Sequence, residues 1–417
     1  MTTTQVAIWA IGALATGCVI VRPWKLPEAL WAVLGALALV VFSLLPWREA
    51  ARAIASGTDV YLFLAGMMLL AELARQQGVF DWLAALAVRL ARGSAQHLFT
   101  LVFVVGTLVT ALLSNDATAV VLTPAVFAAA RAAKAEPLPY LFICAFVANA
   151  ASFVLPISNP ANLVVFGSHM PALASWLAQF GLPSLVSICA TYAFLRYTQR
   201  LPLRQRIFVS SEVPRLTHAG RVTASGIGLS AALLLTASAV DFNLGLPTFG
   251  VAALTAGVVL FDSRQSPWLL LKPVSWSVLP LVAGLFVLVQ GLIRTGVIQR
   301  LSDTLTASSA ASPSHTVWAA GTIVAAACNL INNLPAGLIV HSVVATGIQI
   351  PAPVTKALLI GVDLGPNLSV TGSLATILWL VALRREGVQV SAWKFLRVGI
   401  VVMIPTLLLT LAACMMI

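Results

Sequence analysis

Apolar runs long enough to cross a bilayer, or nearly so, recur along the whole of this 417-residue chain, and no other feature constrains its fold as tightly. About 20 consecutive apolar residues span the roughly 30 Å hydrocarbon core as one helix. Crossings are expected at 5–22, 28–45, 59–76, 139–166, 182–199, 225–240, 247–262, 277–293, 353–382 and 396–416. Composition agrees: 9% of residues are charged and 60% hydrophobic, whereas about a quarter of a typical soluble protein is charged. Lipid must therefore solvate much of the surface. No polar stretch is long enough to house a soluble domain. The first apolar run has no basic residue before it and no clear small-residue cleavage site, so no cleavable signal is expected.

Two further apolar pairs, 97–130 and 315–346, are broken by polar clusters: Ser114-Asn115-Asp116 in one, Asn329 and Asn332-Asn333-Leu334-Pro335 in the other. Each arm reads as short for a crossing, so both pairs are expected to be re-entrant hairpins with polar tips at mid-membrane. Two ordinary helices per pair is the reading that hydropathy alone leaves open.

Charge placement orients the chain. With five crossings per half, 19 of the 24 Lys and Arg residues fall on one side and 5 on the other. The Arg-rich stretch 196–221 lies on the first side. Positive loops stay cytoplasmic, so both termini are expected to face outward. The net charge of +11 then reflects orientation. No nucleic-acid partner is indicated, because the basic residues sit in short loops and form no aromatic-interleaved patch.

The halves repeat. A gapless offset of 218 places Ala65-Gly66 on Ala283-Gly284, Gly78-Val79 on Gly296-Val297, and Asn115 on Asn333. Past the hairpins the offset becomes 214, placing Ala161-Asn162-Leu163 on Ala375-Thr376-Ile377. This divides the chain into an N-terminal repeat (1–199), a cytoplasmic linker (200–222) and a C-terminal repeat (223–417). An odd number of crossings inverts the second repeat relative to the first, a plan on which alternating access is built. The expected fold is an all-α polytopic membrane protein: about ten transmembrane helices plus two re-entrant hairpins in two inverted-topology repeats. Segments 139–166 and 353–382 are broken in turn, by Pro156-Ile157-Ser158-Asn159-Pro160 and by Gly365-Pro366 with Thr371-Gly372-Ser373. Non-helical backbone at membrane depth is tolerated only in protein or against a cavity, so the four breaks point to one central site.

Uncharged hydrogen-bonding groups dominate those breaks. Asn115, Thr118, Ser158, Asn159, Asn162, Asn332, Asn333, Thr371, Ser373 and Thr376 are the expected substrate-binding residues, with Asn149 and Asn367 close by. Amides and hydroxyls suit a small polyhydroxy solute or a neutral oxyacid. No Lys or Arg stands at any break, which weakens an anionic substrate, although helix N-termini could supply partial positive charge. Two carboxylates do stand there, Asp116 and Asp363. An intramembrane acid is expensive to ionise and functional by default, so both are expected to carry protons; capping a half-helix is the alternative role. Glu72, whose repeat position holds Gln290, reads equally well as an interfacial carboxylate beside Arg75. Asp59, Asp241 and Asp262 fall at helix ends and are expected to be solvated.

Five scattered cysteines (Cys18, Cys144, Cys189, Cys328, Cys414) form no metal or redox motif, and no cofactor or metal site is expected. No GxxxxGK[ST] loop is present, so the chain itself is not expected to hydrolyse ATP. Nor does a nucleophile–base pair suggest an enzyme.

The strings LLSNDATAVVLTP (112–124), SNPANLV (158–164), NLINNLPAGL (329–338) and DLGPNLSVTGSLATILW (363–379) together resemble the ArsB-type arsenite and antimonite efflux permeases of the ion transporter superfamily. The likeness runs over essentially the whole chain. It implies a multi-pass inner-membrane transporter exporting As(OH)3 or Sb(OH)3 against proton entry, sometimes aided by a cytosolic ATPase partner. A sodium-coupled anion symporter of the dicarboxylate type, on the same fold, is the alternative, with a passive channel-like pathway behind it.

Overall fold

A computed structural model describes residues 2–167, 170–208, 214–240, 242–264, 266–346 and 350–417. Asp241 and part of the expected linker, 209–213, lie outside the described residues. The first half runs α1 (Thr3–Val21), α2 (Glu28–Val41), α3 (Trp47–Ser56), α4 (Thr58–Gln76), α5 (Val79–Leu90) and α6 (Ala95–Leu112). It continues with α7 (Asn115–Ala117), α8 (Thr123–Ala132), α9 (Leu138–Ala150), α10 (Pro160–Phe166) and α11 (Leu173–Thr198). The second half follows as α12 (His218–Ala239), α13 (Gly245–Ser263), α14 (Pro267–Leu271), α15 (Val278–Arg294) and α16 (Val297–Ala311). It ends with α17 (Pro313–Ile331), α18 (Asn333–Val344), α19 (Ala352–Leu364), α20 (Leu374–Arg385) and α21 (Ala392–Cys414). Among the described residues the sole extended pairing is an isolated bridge between Ser94 and Arg206.

The offset of 218 carries α4 onto α15, α5 onto α16 and α6 onto α17, and 214 carries α9 and α10 onto α19 and α20. Two glycine pairs explain the register. Gly78 and Gly296 precede α5 and α16 with φ of 71° and 76°, a left-handed conformation that glycine adopts without a Cβ penalty. Gly66 and Gly284 are needed for space: a Cβ on either would fall 2.8 and 2.7 Å from the backbones of α13 and α2 respectively. Accordingly α4 packs along α13, and α15 packs along α2, each against the other repeat. Helix α12 starts at His218, inside the stretch read as linker.

The hairpins depart from expectation in one respect. Their first arms, α6 and α17, are unbroken helices of 18 and 19 residues, apolar and long enough to cross; of the return arms, α18 is short at 12 residues, whereas the first continues helically from Asn115 to Ala132. The sequence misleads because Thr107 and Thr110 dilute the apolar run without ending the helix. Their hydroxyls donate back to the Phe103 and Gly106 carbonyls at 2.9 and 2.8 Å, which hides them from lipid. In the first return arm, Pro124 has no N–H for the Val120 carbonyl, and the helix widens to a π turn over Thr118–Leu122. The Thr123 hydroxyl donates to Ala119 O at 2.7 Å in that turn.

Polar contacts gather several connecting segments at two ends. At the basic-rich end, Ile207 N donates to Gly93 O, Phe208 N to Ala133 O, and Gln76 Nε2 to Leu269 O. At the opposite end, Gln5 Nε2 donates to Thr295 O and Arg294 approaches Glu49. Asp59 corrects an expectation there: it is half-buried and accepts the Gly245 N–H at 2.8 Å, tying α4 to the start of α13. Asp262 is half-exposed, as expected, and pairs with His218.

Candidate functional site

Each broken span is two half-helices whose facing ends are built from capping residues. After α9 the chain extends, makes a tight turn over Pro156–Ser158, and re-enters a helix at Asn159. Asn159 Oδ1 accepts the Ala161 N–H at 3.0 Å, and Pro160 occupies the first helical position, where a missing N–H costs nothing. In the second repeat Ser373 does the same work for α20, its Oγ accepting from Thr376 N at 3.1 Å.

These ends cross between repeats. Asn159 Nδ2 donates to Asp363 Oδ1 at 2.6 Å, joining the start of α10 to the end of α19. Asn149 Nδ2 donates to Asn367 Oδ1 at 2.9 Å and lies 3.5 Å from Thr376 Oγ1, joining the end of α9 to the second break. At the offset of 214, Asn149 is the counterpart of Asp363, and Ser373 that of Asn159. The half-helices also reach across to the hairpins: α10 packs on α18, and α20 on the π turn and α8.

The second hairpin tip is fastened to its own break. Asn332 Nδ2 donates to Thr371 O, Asn333 N to Gly372 O, and Asn329 Nδ2 to Gly365 O. The Ser369 and Thr371 hydroxyls both donate to Asn329. Asn332 holds φ 72° and ψ 155° to make these bonds, a region that is essentially glycine's and costs about 1–3 kcal/mol for another residue. Asn332→Ala keeps that strain and loses the Thr371 bond, whereas Asn332→Gly loses the bond and the strain together. The alanine variant is expected to melt below the glycine variant when detergent-solubilised protein is followed by intrinsic fluorescence. Equal melting would show that the backbone there carries no strain.

The first tip is looser. Ser114 Oγ accepts from Ala117 N and Asn115 Oδ1 from Asp116 N, while Ser158 Oγ donates to Ala111 O. Asp116 is half-buried, and among the described residues its carboxylate has no hydrogen-bond partner. It faces a cleft of about 80 Å³ lined also by Met67, Glu72, Ser114, Pro160 and Leu378 and walled by the segment 273–275 at the basic-rich end.

Not every expected residue points into open space. Thr118 bonds Thr110 and the Ser114 carbonyl inside its hairpin. Asn162 Nδ2 donates to the Ser152 and Pro156 carbonyls, holding the first break in shape. At the breaks and hairpin tips, the buried oxygens Asp363 Oδ2, Asn149 Oδ1, Asn162 Oδ1 and Asn333 Oδ1 have no donor among the described residues. Buried acceptors are nearly always satisfied, so such a set in the breaks calls for a proton, a solute or water. Lys356, on α19, is turned to the far end, where its Nζ donates to Ile417 O.

Sequence reasoning undervalued two residues. Glu72 is buried, accepts from Arg75 at 2.8 and 2.5 Å and from Gln76 at 2.7 Å, and shares the cleft with Asp116. Only its burial departs from the interfacial reading, and the helical spacing of Met67, Met68, Ala71 and Glu72 on one face of α4 was the available signal. Ser369, the other, lies within the string DLGPNLSVTGSLATILW, and nothing in the sequence ties it to Asn329.

Residues 13–361 match a protein-family model described as a citrate transporter, CitMHS. The chain belongs to the CitMHS family. The chain is 28% identical over 367 residues to the arsenical pump membrane protein of Escherichia coli, covering 83% of each chain. The arsenical pump membrane protein of Yersinia enterocolitica is 27% identical over 359 residues. An uncharacterized transporter of Mycobacterium tuberculosis is 26% identical over 412 residues, 95% of each chain. The motif resemblance is thereby borne out. Among solved structures, the YdaH transporter of Alcanivorax borkumensis aligns with a TM-score of 0.55 at 16% identity, over 88% of this chain and 86% of that one. That match shows the fold. This CitMHS member is a multi-pass membrane transporter.

Proposed function

We propose that the protein exports arsenite or antimonite, as the neutral trihydroxides, in exchange for protons by alternating access. The observation that carries the reading is the pairing at the crossed breaks. A fully buried carboxylate, Asp363, is held by one amide and has its second oxygen free, in a setting of amides and hydroxyls without a basic side chain. Such a site compensates an uncharged polyol well and a permanent carboxylate charge poorly. Similarity to proteins named arsenical pump membrane protein supports the choice of solute. Asn115, Asn159, Asn162, Asn332, Asn333 and the hydroxyls of Thr371, Ser373 and Thr376 are the proposed hydrogen-bonding groups, with Thr118 and Ser158 shaping the breaks around them. Asp116 and Asp363 are the proposed proton carriers. Asp116 meets the inner solution through the cleft, if the basic-rich end is cytoplasmic, and an ATPase subunit would dock at that same end.

The test is arsenite accumulation in everted membrane vesicles energised by respiration. Accumulation that collapses with a protonophore is expected. No accumulation, in vesicles containing folded protein, sinks the proposal. The family's description favours one second reading, a sodium-coupled anion symporter, which sodium-dependent uptake of citrate or a dicarboxylate would reveal. Asp116→Asn should leave the Ser114 cap and thermal stability intact and remove protonophore-sensitive accumulation; wild-type accumulation would strike Asp116 from the carriers.

A further inference from the structure

The second hairpin leaves an apolar groove along its first arm. Between α16, α17 and α18, backed by Leu358 of α19, lies an apolar cavity of about 600 Å³. Its lining follows α17 from His315 to Ile331, a length of about 24 Å at the helical rise. The small side chains of Ala319, Ala320 and Ala327 form its floor. At the offset of 218 the first repeat places Leu101, Val102 and Val109 on α6 at these positions. At these three positions the first hairpin carries larger side chains than the second, although Val324 stands opposite the smaller Gly106.

The surroundings of the void identify its occupant. At its lips Ile323 and Leu301 are 66% and 45% exposed, the former on α17, a helix apolar and long enough to cross. One end is polar, with Thr304, Ser308, Ser312 and His315, the last two within hydrogen-bond reach at 3.1 Å. That end is where α17 leaves the membrane, on the face opposite the basic-rich loops. The other end stops at Ile331, beside the Asn332 tip. An empty channel of this size forfeits dispersion contacts along its whole wall. A second copy of the chain would have to insert a ridge into a narrow concavity, whereas an extended acyl chain matches its length, its apolar wall and its single polar end.

We propose that this groove binds one acyl chain of a membrane phospholipid, its ester and headgroup region at Ser312 and His315 and its methyl end at the second hairpin tip. The lipid completes the packing that Leu101, Val102 and Val109 supply in the first repeat. The proposal is independent of what the protein transports.

The triple variant Ala319→Leu, Ala320→Val, Ala327→Val gives the second hairpin the residues of the first. Native mass spectrometry after exhaustive detergent exchange should find one phospholipid fewer per chain in the variant than in the wild type. Equal lipid retention in a folded variant overturns the proposal. Should the variant fail to fold, the wild-type protein can be labelled with a phospholipid carrying a photoactivatable acyl chain. Labelling of α16–α18 is then expected, and labelling confined to other helices overturns it. Ile323→Cys supplies the remaining outcome: efficient disulfide formation between chains in the membrane would show that a second copy covers the groove, and would overturn the lipid assignment.

Discussion

Asp363→Asn is expected to abolish proton-driven accumulation while leaving the protein folded in the membrane. The asparagine oxygen can still accept from Asn159 Nδ2, now at 2.6 Å from Asp363 Oδ1, so the link between α10 and α19 survives. What disappears is the capacity to take up and release a proton at Oδ2, the oxygen without a partner. A proton gradient performs work on a carrier only through a group whose charge differs between its two states. Downhill exchange of arsenite can persist in the variant, so driven accumulation and counterflow need separate measurement. Asp363→Leu differs in kind. It leaves the buried Asn159 amide without its acceptor, at a cost of about 1–3 kcal/mol, and should lower thermal stability as well. Full pH-driven accumulation by the asparagine variant would remove Asp363 from the coupling mechanism.

The second large effect concerns folding. Gly66→Val and Gly284→Val should each prevent the protein from reaching a monodisperse state or lower its melting temperature sharply. A Cβ at Gly66 would meet Phe249 N at 2.8 Å, and one at Gly284 would meet Ala32 C at 2.7 Å. Both obstacles are backbone, so no rotamer change relieves them, and the helices must separate along their whole contact. Overpacking costs about 1–3 kcal/mol even where side chains can adjust. Gly250→Val, on α13, is the control: a Cβ there meets nothing within 4 Å. Fluorescence-detected size exclusion after a heating series would rank the three. A Gly66 variant as stable as the Gly250 variant would show that α4 and α13 do not pack as closely as described.

The spans were legible because lipid imposes one requirement everywhere, continuous apolar surface, and few departures survive it. The helix-to-helix register between halves was legible at Gly66 and Gly284 because both repeats need the same close approach. Helix α3 was not, because Arg48, Glu49 and Arg52 sit on a segment bent 46° from α4, which an average over a span-length window dilutes. The long first arms of the hairpins escaped for a related reason: threonine lowers hydropathy, yet its hydroxyl satisfies itself on the preceding turn. At the breaks, residue types were visible and their partners were not. Asn159 and Asp363 are separated by 204 positions, and pairing across repeats follows from how the halves interleave in space. The cleft shared by Asp116 and Glu72 lies in the same category. The groove beside α17 is intermediate, since three alanines opposite Leu101, Val102 and Val109 become meaningful only once the repeat register is known.

The reciprocal packing of α4 on α13 and of α15 on α2 bears on how such a chain is made. Ribosomes deliver it from the N-terminus, so the Gly66 face of α4 enters the bilayer well before Phe249 and Thr248 exist to cover it. The face of α2 around Ala32 waits longer still, for Gly284. Neither half can close its own interior, and the nascent first half must stay in the membrane with two unsheltered helix faces until synthesis is more than half complete. Slow elongation, or a shortage of whatever shelters those faces meanwhile, would then reduce yield without any change in the finished protein.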